Sequence, residues 1–232
     1  MSEAEVVVVG GGHNCLVCAA YLARLGVDTI LIEARSSVGG CASTVYDLGA
    51  RFNICHCEHN LVRAMPIIEE LDLATYGLKY LETEASSICA FHDESDPWVI
   101  YSDIEKTLAG LAATHPDQVD GYKRYLRDAL PVARLALDLA ATQPSSYSFA
   151  SRALQKRGEG LSRLLRWSRS SAMEILSHYF SDWHLIMPTI SVGPTVWGLA
   201  PETPGTGMAA LGYATRPVSY THLRAHETAS YL

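Results

Sequence analysis

Residues 5–40, EVVVVGGGHNCLVCAAYLARLGVDTILIEARSSVGG, leave few folds open. Val6 to Val9 form a short, continuous run of β-branched residues, the pattern of a strand buried on both faces of a parallel sheet. Gly10-Gly11-Gly12 follow directly and permit a tight turn. From about Asn14 to Leu25, Leu16, Ala19, Ala20, Leu22 and Ala23 recur at helical spacing, and Gly26 stands where a C-terminal cap belongs. Thr29 to Ile32 read as a second buried strand, closed by Glu33. Strand, tight turn, helix and strand make the opening of a βαβ unit, so the fold class is α/β with a Rossmann-like parallel sheet.

In such a unit the first glycine permits the turn and the second lets the backbone approach a pyrophosphate. The free N–H groups and positive end of the helix then face the phosphate. Gly10 and Gly12 fill those two places. A third glycine commonly lets helix and strand pack closely, and Cys15 stands there instead. Cysteine is small, so a packing substitution outweighs a reactive thiol at the helix start or a one-base read error. Glu33 ends the second strand 23 positions after Gly10, where an acid accepts hydrogen bonds from a ribose hydroxyl. Its charge disfavours a 2′-phosphate and hence an NADP-type ligand.

Bulk properties exclude other classes. A formal charge of −7 over 232 residues argues against a nucleic-acid footprint. No apolar run approaches the roughly 20 residues of a membrane helix. The acidic start Met1-Ser2-Glu3-Ala4-Glu5 is unlike a signal peptide, so a cytoplasmic protein is expected. Of the six cysteines, Cys15 and Cys18 stand at C-x-x-C spacing, and a cytosolic setting argues against structural disulfides. Cys55-His56-Cys57-Glu58-His59 offers metal-ligand residue types, but the spacing is wrong for zinc and no second cluster completes a site; a polar loop is the preferred reading and no metal is assigned.

After Gly39-Gly40 the chain reads as a loop through 41–60, then a helix from Met65 or Pro66 carrying Ile67, Ile68 and Leu71. Ser87 to Phe91 and Trp98 to Tyr101 read as strands joined by a polar turn. Asp103 is placed to cap a short helix ending before His115-Pro116, and Asp117 to cap a longer one that Pro131 would kink. Arg152 to Arg169 form a basic amphipathic stretch; a solvated face over a core outweighs contact with an anionic membrane surface. Three regions follow: 1–102 as the N-terminal part of a dinucleotide-binding domain with the start of a substrate domain, 103–216 as a helix-rich substrate or cap region, and 217–232 as a non-native tail. The tail PVSYTHLRAHETASYL resembles the translation of a transposon-based sequencing adapter, with Ala229-Ser230 as barcode. On that reading His222 and His226 are not ligands, and the chain is the front part of a longer protein.

The stretch VVVVGGGHNCLVCAAYLARLGVDTILIEARSSVGG resembles the opening of the flavin-dependent phytoene desaturase and amine oxidase superfamily. Glu33-Ala34-Arg35 followed by Gly39-Gly40 is similar to its extended FAD signature. Gly12-His13-Asn14 and WGLAPETPGTGMAALGYA at 197–214 resemble its phytoene-dehydrogenase-like branch. Cys15 is the clear departure. The resemblance implies FAD as cofactor, with Gly10, Gly11, Gly12, His13 and Asn14 at the diphosphate and Glu33 and Ala34 at the adenosine ribose. Arg35, Gly39 and Gly40 would line the path toward the flavin. It implies hydride removal from a substrate C–H, with a small, apolar substrate as partner. The cofactor carries that chemistry, so no acid–base pair is assigned and catalytic residues are left open; His56 and His59 are weak candidates. A C-terminal segment completes the flavin domain in this family, so a chain ending near 216 is expected to bind FAD poorly and to turn nothing over. Three rivals remain: an NAD-dependent dehydrogenase, which would not need Gly39-Gly40; a non-enzymatic escort of the GDP-dissociation-inhibitor type that binds a lipidated partner; and a βαβ scaffold with no ligand.

Overall fold

The computed structural model describes residues 3–55, 60–63, 65–81, 83–140, 142, 145, 147, 150–151 and 160–215. The chain divides into two compact units between Lys79 and Tyr80.

In the first unit β1 (Val6–Val9) and β2 (Thr29–Ile32) pair in parallel, Val6 opposite Thr29 and Val9 opposite Ile32. The crossover is α1 (His13–Arg24). Gly26, at φ +80, ends it by donating its N–H to the Ala23 carbonyl at 3.0 Å. The βαβ opening read from the sequence is therefore present, but burial on both faces is not: Val7, Val9 and Ile32 are exposed. The reason is that β1 and β2 pair only with each other among the described residues, while α1 packs on them.

The loop expected over 41–60 contains a hairpin instead, β3 (Thr44–Asp47) and β4 (Ala50–Asn53). Its two-residue turn, Leu48-Gly49, has positive φ at both positions, the geometry that suits a tight hairpin. The Asp47 carboxylate accepts the Leu48 N–H at 2.9 Å. The helix expected from Met65 or Pro66 shrinks to α3 (Ile67–Glu70), after the short α2 (Asn60–Arg63). Leu71 is buried as its C-cap, and the positive φ of Asp72 stops propagation.

The second unit opens with β5 (Ala85–Cys89) antiparallel to β6 (Trp98–Tyr101), the first two residues earlier than expected. Asp103 caps α4 (Ile104–Thr114) by accepting the N–H groups of Glu105 and Lys106. Asp117 does not cap α5 (Val119–Ala140); it lies inside a 3₁₀ turn, Pro116–Gln118, that precedes the helix. Pro131 sits within α5 without ending it. After α6 (Leu161–Trp167) come α7 (Ala172–Tyr179) and α8 (Trp183–Val192). A Cβ on Gly121 would fall 2.2 Å from the Tyr179 carbonyl oxygen, so α5 reaches the end of α7 only because that side chain is missing.

The core of this unit is aromatic: Trp98, Tyr122, Tyr125, Phe180 and Tyr213 are nearly fully buried. Their polar tips are satisfied, as buried aromatics require. Trp98 Nε1 donates to the His184 carbonyl at 3.2 Å, Tyr125 Oη to the Ala210 carbonyl at 2.6 Å, and Tyr213 Oη to the Leu185 carbonyl at 2.5 Å. The motif at 197–214 folds onto this core. Gly205 and Gly207 both donate N–H to the Ser170 carbonyl, and a Cβ on Gly207 would lie 2.1 Å from the Trp167 carbonyl oxygen. Of the basic stretch, residues 152–159 lie outside the described residues. In the remainder Leu164 and Trp167 are buried, and Arg163 Nη2 pairs with Asp128 Oδ1 at 3.1 Å. Among the described residues no helix is long and apolar enough to cross a membrane.

Candidate nucleotide-binding site

The first unit gathers its glycines at the C-terminal ends of two parallel strands. Gly10 leaves β1 at φ +101 and donates its N–H to the Ile32 carbonyl at 2.7 Å, so the turn is pinned to the end of β2. Gly12 is the N-cap of α1 and supplies no side-chain cap, and no acidic residue lies in the first turn. The N-cap thus contributes no side-chain acceptor to the first turn of a 12-residue helix, the end that carries the positive dipole. His13 and Asn14 occupy that exposed first turn.

The two inner glycines behave differently. A Cβ on Gly11 would sit 2.9 Å from Glu33 Oε2 and 2.9 Å from Val38 Cγ1, so the backbone here is packed against its neighbours. A Cβ on Gly12 would meet nothing within 4 Å. Glycine at 12 is thus not required by the chain's own packing, and the open space is what a diphosphate cradle leaves for its ligand.

The second glycine pair closes on the first. Gly39 forms a parallel bridge with Gly12, and its N–H donates to the Gly11 carbonyl at 2.6 Å. Gly39 is at φ +116, and a Cβ on Gly40 would lie 3.0 Å from Gly12 Cα. The Glu33 carboxylate accepts the Gly11 N–H on Oε2 at 2.5 Å and the Arg35 N–H on Oε1 at 2.9 Å. Those backbone donors, Arg35 first and then Gly11, hold the Glu33 carboxyl below its usual range. Each oxygen retains acceptor capacity for a hydroxyl. Ala34 and the Arg35 side chain are exposed beside it.

The structure therefore brings Gly10, Gly11, Gly12, Glu33, Gly39 and Gly40 into one hydrogen-bonded cluster, with His13, Asn14, Ala34 and Arg35 at its rim. His56 and His59 lie outside the described residues. Cys15 faces the strand: its Sγ lies 3.7 Å from the Val9 carbonyl oxygen. Sequence reasoning missed Val38 and Ser43. Ser43 Oγ donates to the Val38 carbonyl at 3.3 Å, and a Cβ on Gly39 would come within 2.9 Å of that Oγ. Their signal lay in SVGGCAS, where small residues surround the glycine pair.

In the second unit an apolar cavity of about 590 Å³ opens beside β5, lined by Cys89, Phe91, Ile100, Trp183, Met187 and Tyr213 among others.

Residues 8–64 match the family model described as an NAD(P)-binding Rossmann-like domain. The chain is similar to pyridine nucleotide-disulfide oxidoreductase domain-containing protein 2 of Rattus norvegicus, 28% identical over 243 residues, covering 90% of this chain and 40% of that protein. It is similar to amine oxidase [flavin-containing] B of Sus scrofa, 34% identical over 88 residues, covering 35% of this chain and 16% of the relative. Among solved structures, a redesigned putrescine oxidase superposes with a TM-score of 0.57 at 18% identity, covering 91% of this chain and 41% of the other. The chain spans less than half the length of each of these proteins. The α/β Rossmann-like fold class expected from the sequence holds, and a flavin-containing amine oxidase is among the relatives.

Proposed function

We propose that this chain belongs to the FAD amine oxidase superfamily, to whose members it is similar, and carries the ADP-binding part of an FAD site in a phytoene desaturase-like oxidoreductase. The observation that carries the reading is the junction of the two glycine pairs. Gly39 bridges Gly12 and donates to the Gly11 carbonyl. A nicotinamide site has no use for that second pair, whereas an extended flavin nucleotide runs past both.

The residues fit the group. The open space over Gly12 and the uncapped start of α1 accept the diphosphate. Glu33, held ionised by two backbone N–H groups, accepts the ribose hydroxyls. Gly39 and Gly40 keep the adjoining backbone free of side chains, and the Arg35 guanidinium adds positive charge at the rim. When bound, FAD supplies the acceptor for a hydride leaving a substrate C–H. Residues 1–102 serve as the nucleotide-binding part with the start of the substrate region, and 103–216 as the helix-rich substrate or cap region. The apolar lining of the cavity beside β5 supports a small apolar substrate.

The test is flavin retention by the intact protein, read from its visible absorption, followed by anaerobic addition of polyenes and of amines. Wild type is yellow and bleaches with an apolar hydrocarbon donor, and the Gly12→Val/Glu33→Lys variant purifies colourless. Retention of flavin by that variant overturns the site. Bleaching by amines alone overturns the substrate class.

A further inference from the structure

We propose that His115, Asp182 and His184 form a binding site for a divalent metal ion of the zinc class, in the second unit and separate from the nucleotide cradle. His115 is the C-cap of α4, Asp182 the N-cap of α8, and His184 lies in the first turn of α8. One ligand atom from each lies within 4.8 Å of the other two. Zinc bonds of about 2.1 Å place tetrahedral ligand atoms roughly 3.4 Å apart, so small side-chain rotations close the site. Two imidazoles and a carboxylate with a position left open form a donor set that Zn²⁺ accepts.

The surrounding hydrogen bonds orient the donors. Thr114 Oγ1 donates to the Gly110 carbonyl at 3.2 Å. Its oxygen can then only accept from His115 Nδ1–H, 2.9 Å away, which leaves a lone pair on His115 Nε2. His184 Nε2 lies 2.9 Å from Asp93 Oδ2, and Asp93 is itself held by the Ser95 hydroxyl at 2.8 Å. Donation from Nε2–H to Asp93 turns the Nδ1 lone pair toward Asp182, whose Oδ1 is 2.6 Å away. A metal-bound histidine whose other ring nitrogen donates to a carboxylate is the usual second layer of such sites. Asp182 Oδ1 also accepts the His184 backbone N–H at 3.0 Å, which fixes the carboxylate. The Phe91 and Trp183 rings flank His184 at 4.6 and 4.0 Å between centroids and restrict its ring.

A lone pair and a carboxylate oxygen 2.6 Å apart need a cation between them. Either a proton or a metal ion serves, and a third ligand atom, from His115, within 4.8 Å of both favours the metal. Bound there, the ion ties the end of α4 to the start of α8, and through Asp93 to the turn between β5 and β6.

The untagged 232-residue chain, stripped with chelator, is titrated with Zn²⁺ against a chromophoric chelator and with Co²⁺ by visible absorption. One Zn²⁺ per chain is expected. Binding weakens at least 100-fold in His115→Ala and in His184→Ala, checked for folding by far-UV circular dichroism, and about 10- to 100-fold in Asp93→Asn, which preserves the shape of the site. Cobalt shows d–d bands without thiolate charge transfer. The proposal is overturned if the histidine variants and Asp93→Asn bind Zn²⁺ as wild type does, if cobalt reports thiolate ligands, or if no Zn²⁺ binds and His184 proves to be a plain imidazolium by NMR.

Discussion

Gly12→Asp should move stability and nucleotide affinity in opposite directions. At the N-cap of α1, Gly12 has φ −70 and ψ 164, an extended conformation open to any residue, and a Cβ there meets nothing within 4 Å. Replacing glycine where no strain results gains about 0.4–1 kcal/mol through the unfolded chain. A carboxylate at an N-cap adds a few tenths as a capping acceptor and about 0.3–1 kcal/mol against the helix dipole. The sum is about 1–2 kcal/mol, or roughly 2–8 °C in Tm for a chain of this size. The same carboxylate fills the diphosphate position. Two negative charges about 4 Å apart at an effective dielectric near 20 repel by about 4 kcal/mol, close to a thousandfold in Kd. Thermal melts with and without FAD read both effects. At a hundredfold excess over Kd the ligand stabilises wild type by about 2.7 kcal/mol, and the variant's higher Tm should not respond. A variant that melts lower than wild type, or that shows the full FAD-induced shift, refutes the account of Gly12 as a position kept bare for an anion.

Three further outcomes are expected. Gly207→Ala, which drives a Cβ to 2.1 Å from the Trp167 carbonyl oxygen and 2.6 Å from Ile175 Cδ1, should cost about 1–3 kcal/mol by overpacking, visible as a lower thermal midpoint in circular dichroism. Burial pushes the Asp128 carboxyl up, but the Tyr179 hydroxyl and the guanidinium groups of Arg127 and Arg163 outweigh it and hold it below its ordinary range. Its contribution is thus complete above the unfolded pKa of about 3.9 and is lost as pH falls from there through the folded value; denaturant midpoints against pH should fall less steeply at the acid end in Asp128→Asn. Cys15→Gly, which restores the usual motif, should lower Tm, because glycine inside a helix costs about 1 kcal/mol, and should leave FAD affinity unchanged; a tighter Kd would show that the cysteine distorts the cradle.

The legible parts of the fold were those set by local rules. β1, α1 and β2 followed from a β-branched run, a helical period and a glycine stop, and Asp103 marked the start of α4 by capping chemistry alone. The hairpin of β3 and β4 stayed hidden because all eight of its strand residues are exposed, so no apolar alternation marks a buried face. Its turn also carries Leu48 where asparagine or aspartate would signal positive φ. α5 buries Tyr125, Val132 and Leu135 as well as Tyr122, Leu126 and Ala129, so no single stripe of the sequence marks its core side. That helix is covered from several directions, by α4, α6 and α7, and its apolar face is wider than a single stripe.

The two sites divide along the same physical line. The nucleotide cradle is made of backbone: missing side chains at Gly11, Gly12, Gly39 and Gly40, N–H groups at a helix start, and one acid at a strand end. Such a site must lie close to contiguous sequence, because successive amides of one chain build it, and glycine spacing records it. Even Cys15 is tolerable on these terms. Its Sγ rests 3.7 Å from the Val9 carbonyl and 3.9 Å from where a Gly10 Cβ would be, so it occupies the helix–strand interface and not the ligand's space. The histidine–aspartate cluster obeys the other rule. Asp93, His115, Asp182 and His184 are brought together by three separate junctions, the β5–β6 turn, the end of α4 and the start of α8. No spacing in the sequence encodes that meeting, because it depends on how an aromatic core seats one helix against another. The contiguous CHCEH run at 55–59 drew the metal question in the sequence, whereas packing assembles its best answer more than thirty residues further on.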